Sequence, residues 1–291
     1  MTDAIRRAYR WCRREGDGNH LPGRELLIAR RFDEAVAVLT AFGRVAQSRA
    51  DAVEMPPDAR HRALESLVHD VRDAARGRPG QQPLAVALSD AIPRYDWDPD
   101  ALETLVAYWH RDVDAPAYPH FGAVIEHGRC VAAPVARLAL GATPWDGPQN
   151  RAYAESLVTG VWLIRRYQSL ASDLRRYGRL LIPTDELERF KVSIAGGDRL
   201  EPPAKWRLVM SQQYRRAERL LRAGAPLGLC LPGLLGLAVR RLLLYHAALI
   251  PPTHAPEASP GEPRKPSRLK RLRTYPQALW AGRRTCPQKP T

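Results

Sequence analysis

Apolar residues that return at every third or fourth position, stretch after stretch, restrict this chain more than any other feature. Between positions 34 and 54, Ala35, Val38, Leu39, Phe42, Val45 and Ala46 fall on one side of a helix. Positions 58–76 repeat the pattern through Ala63, Leu64, Leu67, Val68 and Val71, and Pro56 and Pro57 separate the two. Gly77 to Pro83 is turn-rich. Two further helices are expected over 84–93 and 100–111, split by Asp96-Trp97-Asp98-Pro99. Positions 119–141 carry small residues on a helical pattern (Gly122, Ala132, Ala133, Ala136), and Pro134 is expected to kink that helix or begin a new one. The longest candidate runs over 148–176 and is stopped by Gly178 and Pro183. Positions 203–223 and 234–250 complete the set. Strand patterns are sparse and no internal repeat is visible. The fold class that follows is all-α: one helical domain over residues 1–250. Residues 251–291 follow as a Pro-rich basic tail, expected to be poorly ordered apart from a short piece near Leu279–Trp280.

The 291 residues are 45% hydrophobic and 26% charged, a balance that supports a packed core. The net charge of +14 suits a polyanionic partner: nucleic acid, an anionic bilayer or a phosphorylated substrate. Nine Lys/Arg against two Glu in 251–291 supply half of that charge. No nucleic-acid-binding motif accompanies the run Arg264, Lys265, Arg268, Lys270, Arg271, Arg273, so nucleic acid is set aside as the partner. Peripheral contact with an anionic bilayer fits a lipid substrate better. Cys12, Cys130, Cys230 and Cys286 are isolated in sequence, which argues against a metal cluster or a disulfide framework and for a cytoplasmic location, if peripherally on the inner face of the cell membrane. The opening MTDAIRRAYRWCRREGDG has no apolar h-region, so no signal peptide is expected. The apolar stretch Ala225 to Ile250 is interrupted by Pro226, Pro232 and Arg240-Arg241, whereas a spanning helix needs about 20 apolar residues without central charges. It reads as a core helix.

Two helical segments carry the polar residues from which chemistry could be built. One is Phe42-Gly-Arg44-Val-Ala-Gln47-Ser-Arg49-Ala-Asp51; the other runs from Arg165-Arg-Tyr-Gln168-Ser169 through Asp173 to Arg179 and Pro183. Residues four apart share a helix face, which pairs 47 with 51 and 169 with 173. Two such faces pointing into one bundle would make a shared polar pocket.

These segments, in this order, resemble the squalene/phytoene synthase family, and most closely its hydroxysqualene synthase branch in bacterial hopanoid synthesis. Phe42-x-Arg44 followed by Asp51 looks like the first aspartate-rich motif. Trp109-His-Arg-Asp112-Val113 to Tyr118 looks like the "F-x-Q-D-V…R-Y" segment, and Ala132-Ala-Pro134-Val-Ala-Arg137-Leu138 is similar to "A-x-P-V-G-R-L". Gln168 to Asp173, then Gly178-Arg179-Leu-Leu-Ile-Pro183, resemble the second aspartate motif and its "G-R-x-Y-L-P" sequel. Tyr214 to Leu227 resembles the branch's "G-A-P-L" helix. The resemblance covers residues 4 to about 250 and is densest over 105–190.

The resemblance implies an isoprenoid synthase helical bundle with a central apolar cavity, and a prenyl diphosphate substrate (farnesyl or presqualene diphosphate). It implies Mg²⁺ held by aspartates and gripping the diphosphate. Carried over residue by residue, it assigns Asp51 and Asp173 to metal and catalysis, with His127 as a further catalytic candidate. Arg44, Arg49, Arg165, Gln168, Arg179 and Tyr118 go to the substrate. The implied activity is hydroxysqualene or squalene synthase.

The sequence also departs from the pattern. Gln47 and Ser169 stand where the two D-x-x-x-D motifs usually begin, Arg165 where an Asn is common, and His127 where a Tyr often stands. Gln and Ser are neutral, while guanidinium grips phosphate oxygens directly. Three readings follow: an enzyme with fewer metals and more arginine, a protein that binds prenyl diphosphate without turnover, or a degenerate paralogue that partners an active synthase.

Overall fold

The computed structural model describes residues 2–16, 30–114, 117–195, 199–201 and 203–251. The basic tail beyond 251, with Leu279–Trp280, lies outside the described residues. What is described is helical apart from one short hairpin, and the described residues group into two compact units.

The first unit comprises Met1–Asp114 with Ala133–Arg151. It holds α1 (Asp3–Gly16), α2 (Arg30–Ala50), α3 (Pro57–Ala75), α4 (Pro83–Arg94) and α5 (Pro99–Asp114). Prolines start three of these helices, where a missing N–H costs nothing. Gly77, at φ 69°, turns the chain after α3 in a conformation that a side chain would resist. Phe42 and Val38 of α2, Leu64, Leu67 and Val71 of α3, Leu88 of α4, and Leu102 and Val106 of α5 form the core, all buried. The buried carboxylate of Glu34 is paired with Arg94 at 3.0 Å and Arg13 at 3.4 Å, which ties α2 to α4 and α1. Trp97 Nε1–H donates to the Leu138 carbonyl at 2.8 Å, which fixes the segment between α4 and α5.

The second unit comprises Ala115–Ala132 with the chain from Ala152 onward. Its elements include the first half of α6 (Phe121–Gly141) and most of α7 (Pro148–Tyr177). α8 (Thr184–Phe190), β1 (Ser193–Ala195), β2 (Arg199–Glu201), α9 (Pro203–Gly224), α10 (Leu227–Cys230) and α11 (Gly233–Ala247) follow. Strands β1 and β2 pair antiparallel, with Ile194 opposite Leu200. α7 and α9 touch through glycines. A Cβ at Gly160 would lie 2.9 Å from the Leu221 nitrogen, and one at Gly224 would lie 2.6 Å from the Leu157 nitrogen. Gly178, at φ 64°, ends α7 as its place in the sequence requires.

The expected helices appear within a few residues of their expected limits, with some differences. α2 ends at Ala50, so Asp51 sits in the turn that follows. α6 runs unbroken through Pro134, because a helix can forgo one N–H where packing holds it on both sides. α1, α8, α10 and the hairpin have no counterpart in the sequence reading. The stretch 225–250 breaks at Pro232 into α10 and α11, and among the described residues no helix is long and apolar enough to cross a membrane. Cys12 and Cys130 are free thiols, Cys12 buried and Cys130 half-buried.

Candidate active site

In the first unit the candidate residues lie at the end of α2. Helical rotation of about 100° per residue puts positions 44, 47 and 51 within about 60° of one another and position 49 on the far side. The Asp51 N–H bonds the Gln47 carbonyl at 2.9 Å, which keeps Asp51 in helical register past the last turn. Gln47 is held from two directions. The Trp109 indole N–H donates to Gln47 Oε1 at 3.1 Å, and Gln47 Nε2 donates to Asp51 Oδ2 at 2.6 Å. An indole N–H can only donate, so Trp109 determines that the amide turns its N–H groups toward Asp51. Trp109 is itself anchored edge-on against the buried Phe42, at 6.4 Å between ring centres.

Arg44 is partly exposed, 3.9 Å from Glu15. Arg49 points the other way. Its guanidinium donates to the Ala63 carbonyl at 2.7 Å and to Ser66 Oγ at 3.0 Å on α3, and burial lowers its pKa against the opposing pull of Asp70. In this structure Arg49 joins α2 to α3.

In the second unit the face of α7 brings Arg165, Arg166, Ser169 and Asp173 together, within an arc of about 100°. Ser169 Oγ lies 2.9 Å from Asp173 Oδ2 and 3.2 Å from the Arg166 carbonyl, and the carboxylate is the stronger acceptor for its single proton. Arg166 stands 3.4 Å from the same Oδ2, with both side chains only 13% exposed. Arg165 is deeper: burial lowers its pKa, opposed by Tyr245, and its Nε lies 3.5 Å from His246 Nε2. Arg179, buried just after the Gly178 turn, has its guanidinium carbon 4.1 Å from the centre of the Tyr177 ring. Gln168 is half-buried on the flank of this face.

Tyr118 and His127 belong to an aromatic layer with Trp162 of α7. The His127 ring lies 5.6 Å from that of Tyr118 and 5.7 Å from that of Trp162, and is buried. Gly128 makes room for Trp162, since a Cβ there would come within 2.7 Å of the indole. Tyr118 is fixed through its backbone, whose carbonyl accepts from the Thr184 N–H at 2.8 Å.

Two groups were not singled out from sequence. The buried carboxylate of Glu186 accepts from Gln213 and from Arg216, and the Tyr167 hydroxyl reaches Gln213 Oε1 at 3.3 Å. Burial pushes the Tyr167 hydroxyl pKa up. His246, fully buried, is the other. Its one sequence signal was a polar pair, Tyr245-His246, inside an otherwise apolar run.

The donor set can be tested against Mg²⁺, a hard cation that seeks carboxylate and phosphate oxygens. Each motif supplies one aspartate. Asp51 faces an amide N–H, and Asp173 faces a hydroxyl and a guanidinium. Among the described residues no three His, Cys, Asp or Glu side chains converge as a metal would require. This arrangement does not fit a bridged metal cluster.

The family model of squalene/phytoene synthases matches residues 25–253. The chain belongs to the squalene/phytoene synthase family. Hydroxysqualene synthase from Zymomonas mobilis is 26% identical over 186 residues, 62% of this chain and 59% of that protein's own length. The crystal structure of squalene synthase HpnC from Alicyclobacillus acidocaldarius superposes with a TM-score of 0.73 at 20% identity, covering 86% of this chain and 94% of that one. A dehydrosqualene synthase crystallised with a ligand gives a TM-score of 0.79 at 13% identity, covering 95% and 97%. The squalene/phytoene synthase fold expected from the motifs is therefore the fold of this chain. In this chain Gln47 stands four positions before Asp51 and Ser169 four positions before Asp173, and Arg166 lies 3.4 Å from Asp173 Oδ2.

Proposed function

We propose that this family member handles a prenyl diphosphate as a hydroxysqualene or squalene synthase does, with presqualene diphosphate as its substrate. The observation that carries the reading is the set of guanidiniums along and just past the second half of α7: Arg165 and Arg166 on the face of Ser169 and Asp173, with Arg166 3.4 Å from Asp173 Oδ2, and Arg179 buried after the Gly178 turn. Guanidinium groups in a part-buried setting hold phosphate oxygens bidentately, and their charge opposes the negative charge that builds up as diphosphate departs.

Peripheral contact with an anionic bilayer accompanies this reading, since substrate and product are lipids. Leu208, 57% exposed, directly follows the exposed Arg207 and lies one turn after the exposed Lys205 on α9.

A second reading draws on Gln47 and Ser169. A chain that binds prenyl diphosphate without converting it, or that partners an active synthase, would tolerate both replacements. Incubation of the purified chain with presqualene diphosphate, with and without Mg²⁺, separates the two. Hydroxysqualene or squalene above background supports the first, tight binding without product supports the second, and neither binding nor product removes the first and leaves only the partner form of the second.

A further inference from the structure

We propose that Asp51 and Asp173 in this chain are hydrogen-bond anchors rather than metal ligands, and that the chain engages diphosphate independently of divalent cations. The two motifs lie in different helices and different units, yet they have changed in the same way. In each, the residue four positions before the retained aspartate is a neutral donor, and in each its proton points at Oδ2 of that aspartate: Gln47 Nε2 at 2.6 Å and Ser169 Oγ at 2.9 Å.

The electrostatics explain why this pairing replaces a metal. Two carboxylates at i and i+4 repel one another and need a cation between them. A carboxylate beside an N–H or O–H donor has no such need, because the donor itself stabilises the anion. The lone pair that a shared metal would seek from position 47 is directed elsewhere, because Gln47 Oε1 is held by the Trp109 indole at 3.1 Å. To offer that oxygen to a metal, the amide would have to turn its N–H groups onto the Trp109 donor. In the second motif the positive charge is already in place: Arg166 stands 3.4 Å from Asp173 Oδ2, where a divalent cation would meet it head-on.

The diphosphate half of this inference rests on the proposed function; the metal half does not. Calorimetric titration of the full chain with inorganic pyrophosphate, once in EDTA and once in excess Mg²⁺, tests the two together. The dissociation constant in EDTA is expected to be no larger than that in Mg²⁺. The double substitution Gln47→Asp/Ser169→Asp is expected to reverse the order, with binding about tenfold weaker in EDTA and recovered by Mg²⁺, since each added anion creates an i,i+4 carboxylate pair that repels a polyanion until a cation joins it. A gain of about tenfold from Mg²⁺ in the unaltered chain overturns the proposal. If pyrophosphate binds in neither buffer, the functional reading fails, and Mn²⁺ paramagnetic resonance decides the metal half. An undiminished free Mn²⁺ signal upholds it. A signal lost to the unaltered chain, and regained with Asp51→Asn or Asp173→Asn, sinks it.

Discussion

His246 turns its Nε2 lone pair toward the Nε–H of Arg165 across 3.5 Å, because its Nδ1–H is committed to the Leu242 carbonyl at 2.9 Å. The main-chain bond fixes the tautomer, and the tautomer fixes the acceptor. Burial first, and the Arg165 charge as well, depress the His246 pKa from 6.5 to about 4, against the raising effect of the Leu242 carbonyl. The native state therefore binds fewer protons than the unfolded chain between these values. The stabilisation is complete above pH 6.5, falls away as pH drops toward 4, and is gone below it. A shift of this size corresponds to roughly 3 kcal/mol. Urea midpoints measured from pH 7.5 to 4 should fall along this limb, and His246→Leu should flatten it. An equal acid slope in the variant would refute the assignment.

Gly160 and Gly224 are contact points between two helices. The nearest atoms to an added Cβ are the main chains of α9 and α7, which cannot swing aside as a flexible side chain can. Gly160→Ala and Gly224→Ala should each cost about 1–3 kcal/mol, the usual penalty for overpacking. Gly224 should be the costlier, since its Cβ would meet three atoms at 2.6–2.7 Å. Gly80→Ala, with nothing within 4 Å, is the matched control and should leave the melting temperature unchanged. Equal melting temperatures for all three would show that the helices separate at little cost.

The sequence made the helices legible because each buries an apolar stripe, and a stripe is a local property. The candidate face of α7 was legible for the same reason: Arg165, Ser169 and Asp173 repeat at helical spacing. The bond from Arg49 to α3 was not read from the sequence, which assigned Arg49 to the substrate, although position 49 lies across the helix from 47 and 51. Partners set by tertiary packing were not legible. Nothing near Gln47 in sequence says that Trp109 will orient its amide, and nothing near His246 points to Arg165, 81 positions away. The short α8 and the β-hairpin were missed because they lack the length over which periodicity can be read. The unbroken α6 shows packing overriding a proline that local rules treat as a breaker.

Glu186 is the charged centre of a polar cluster that joins α8 to α9 and, through Tyr167, to α7. Glu186 is 6% exposed at its side chain and Arg216 is 19% exposed, so the cation would lose its counter-charge in a largely dry setting if the carboxylate were removed. Glu186→Ala should cost about 3–5 kcal/mol, as breaking one side of a buried pair does. Glu186→Gln/Arg216→Met, which removes both charges, should recover most of that loss. Chemical denaturation of the three proteins checks this. A double variant no more stable than Glu186→Ala would mean that Gln213 and Tyr167, rather than the ion pair, carry the effect.

Leu208 offers a direct test of bilayer contact. A leucine 57% exposed beside two exposed cations matches an interface in which the alkyl chain enters the acyl boundary while the ammonium of Lys205 and the guanidinium of Arg207 stay at the headgroups. Each basic residue near an anionic surface adds about 1 kcal/mol and the attraction decays with salt. The chain should therefore co-sediment with phosphatidylglycerol vesicles at low ionic strength and much less with phosphatidylcholine vesicles. Leu208→Asp should lower the bound fraction several-fold without changing the melting temperature, because the side chain buries little in the folded protein. Lys205→Glu/Arg207→Glu should act in the same direction and remove part of the salt dependence. If all of these variants sediment like the parent, the attraction lies elsewhere on the chain and α9 does not face the bilayer.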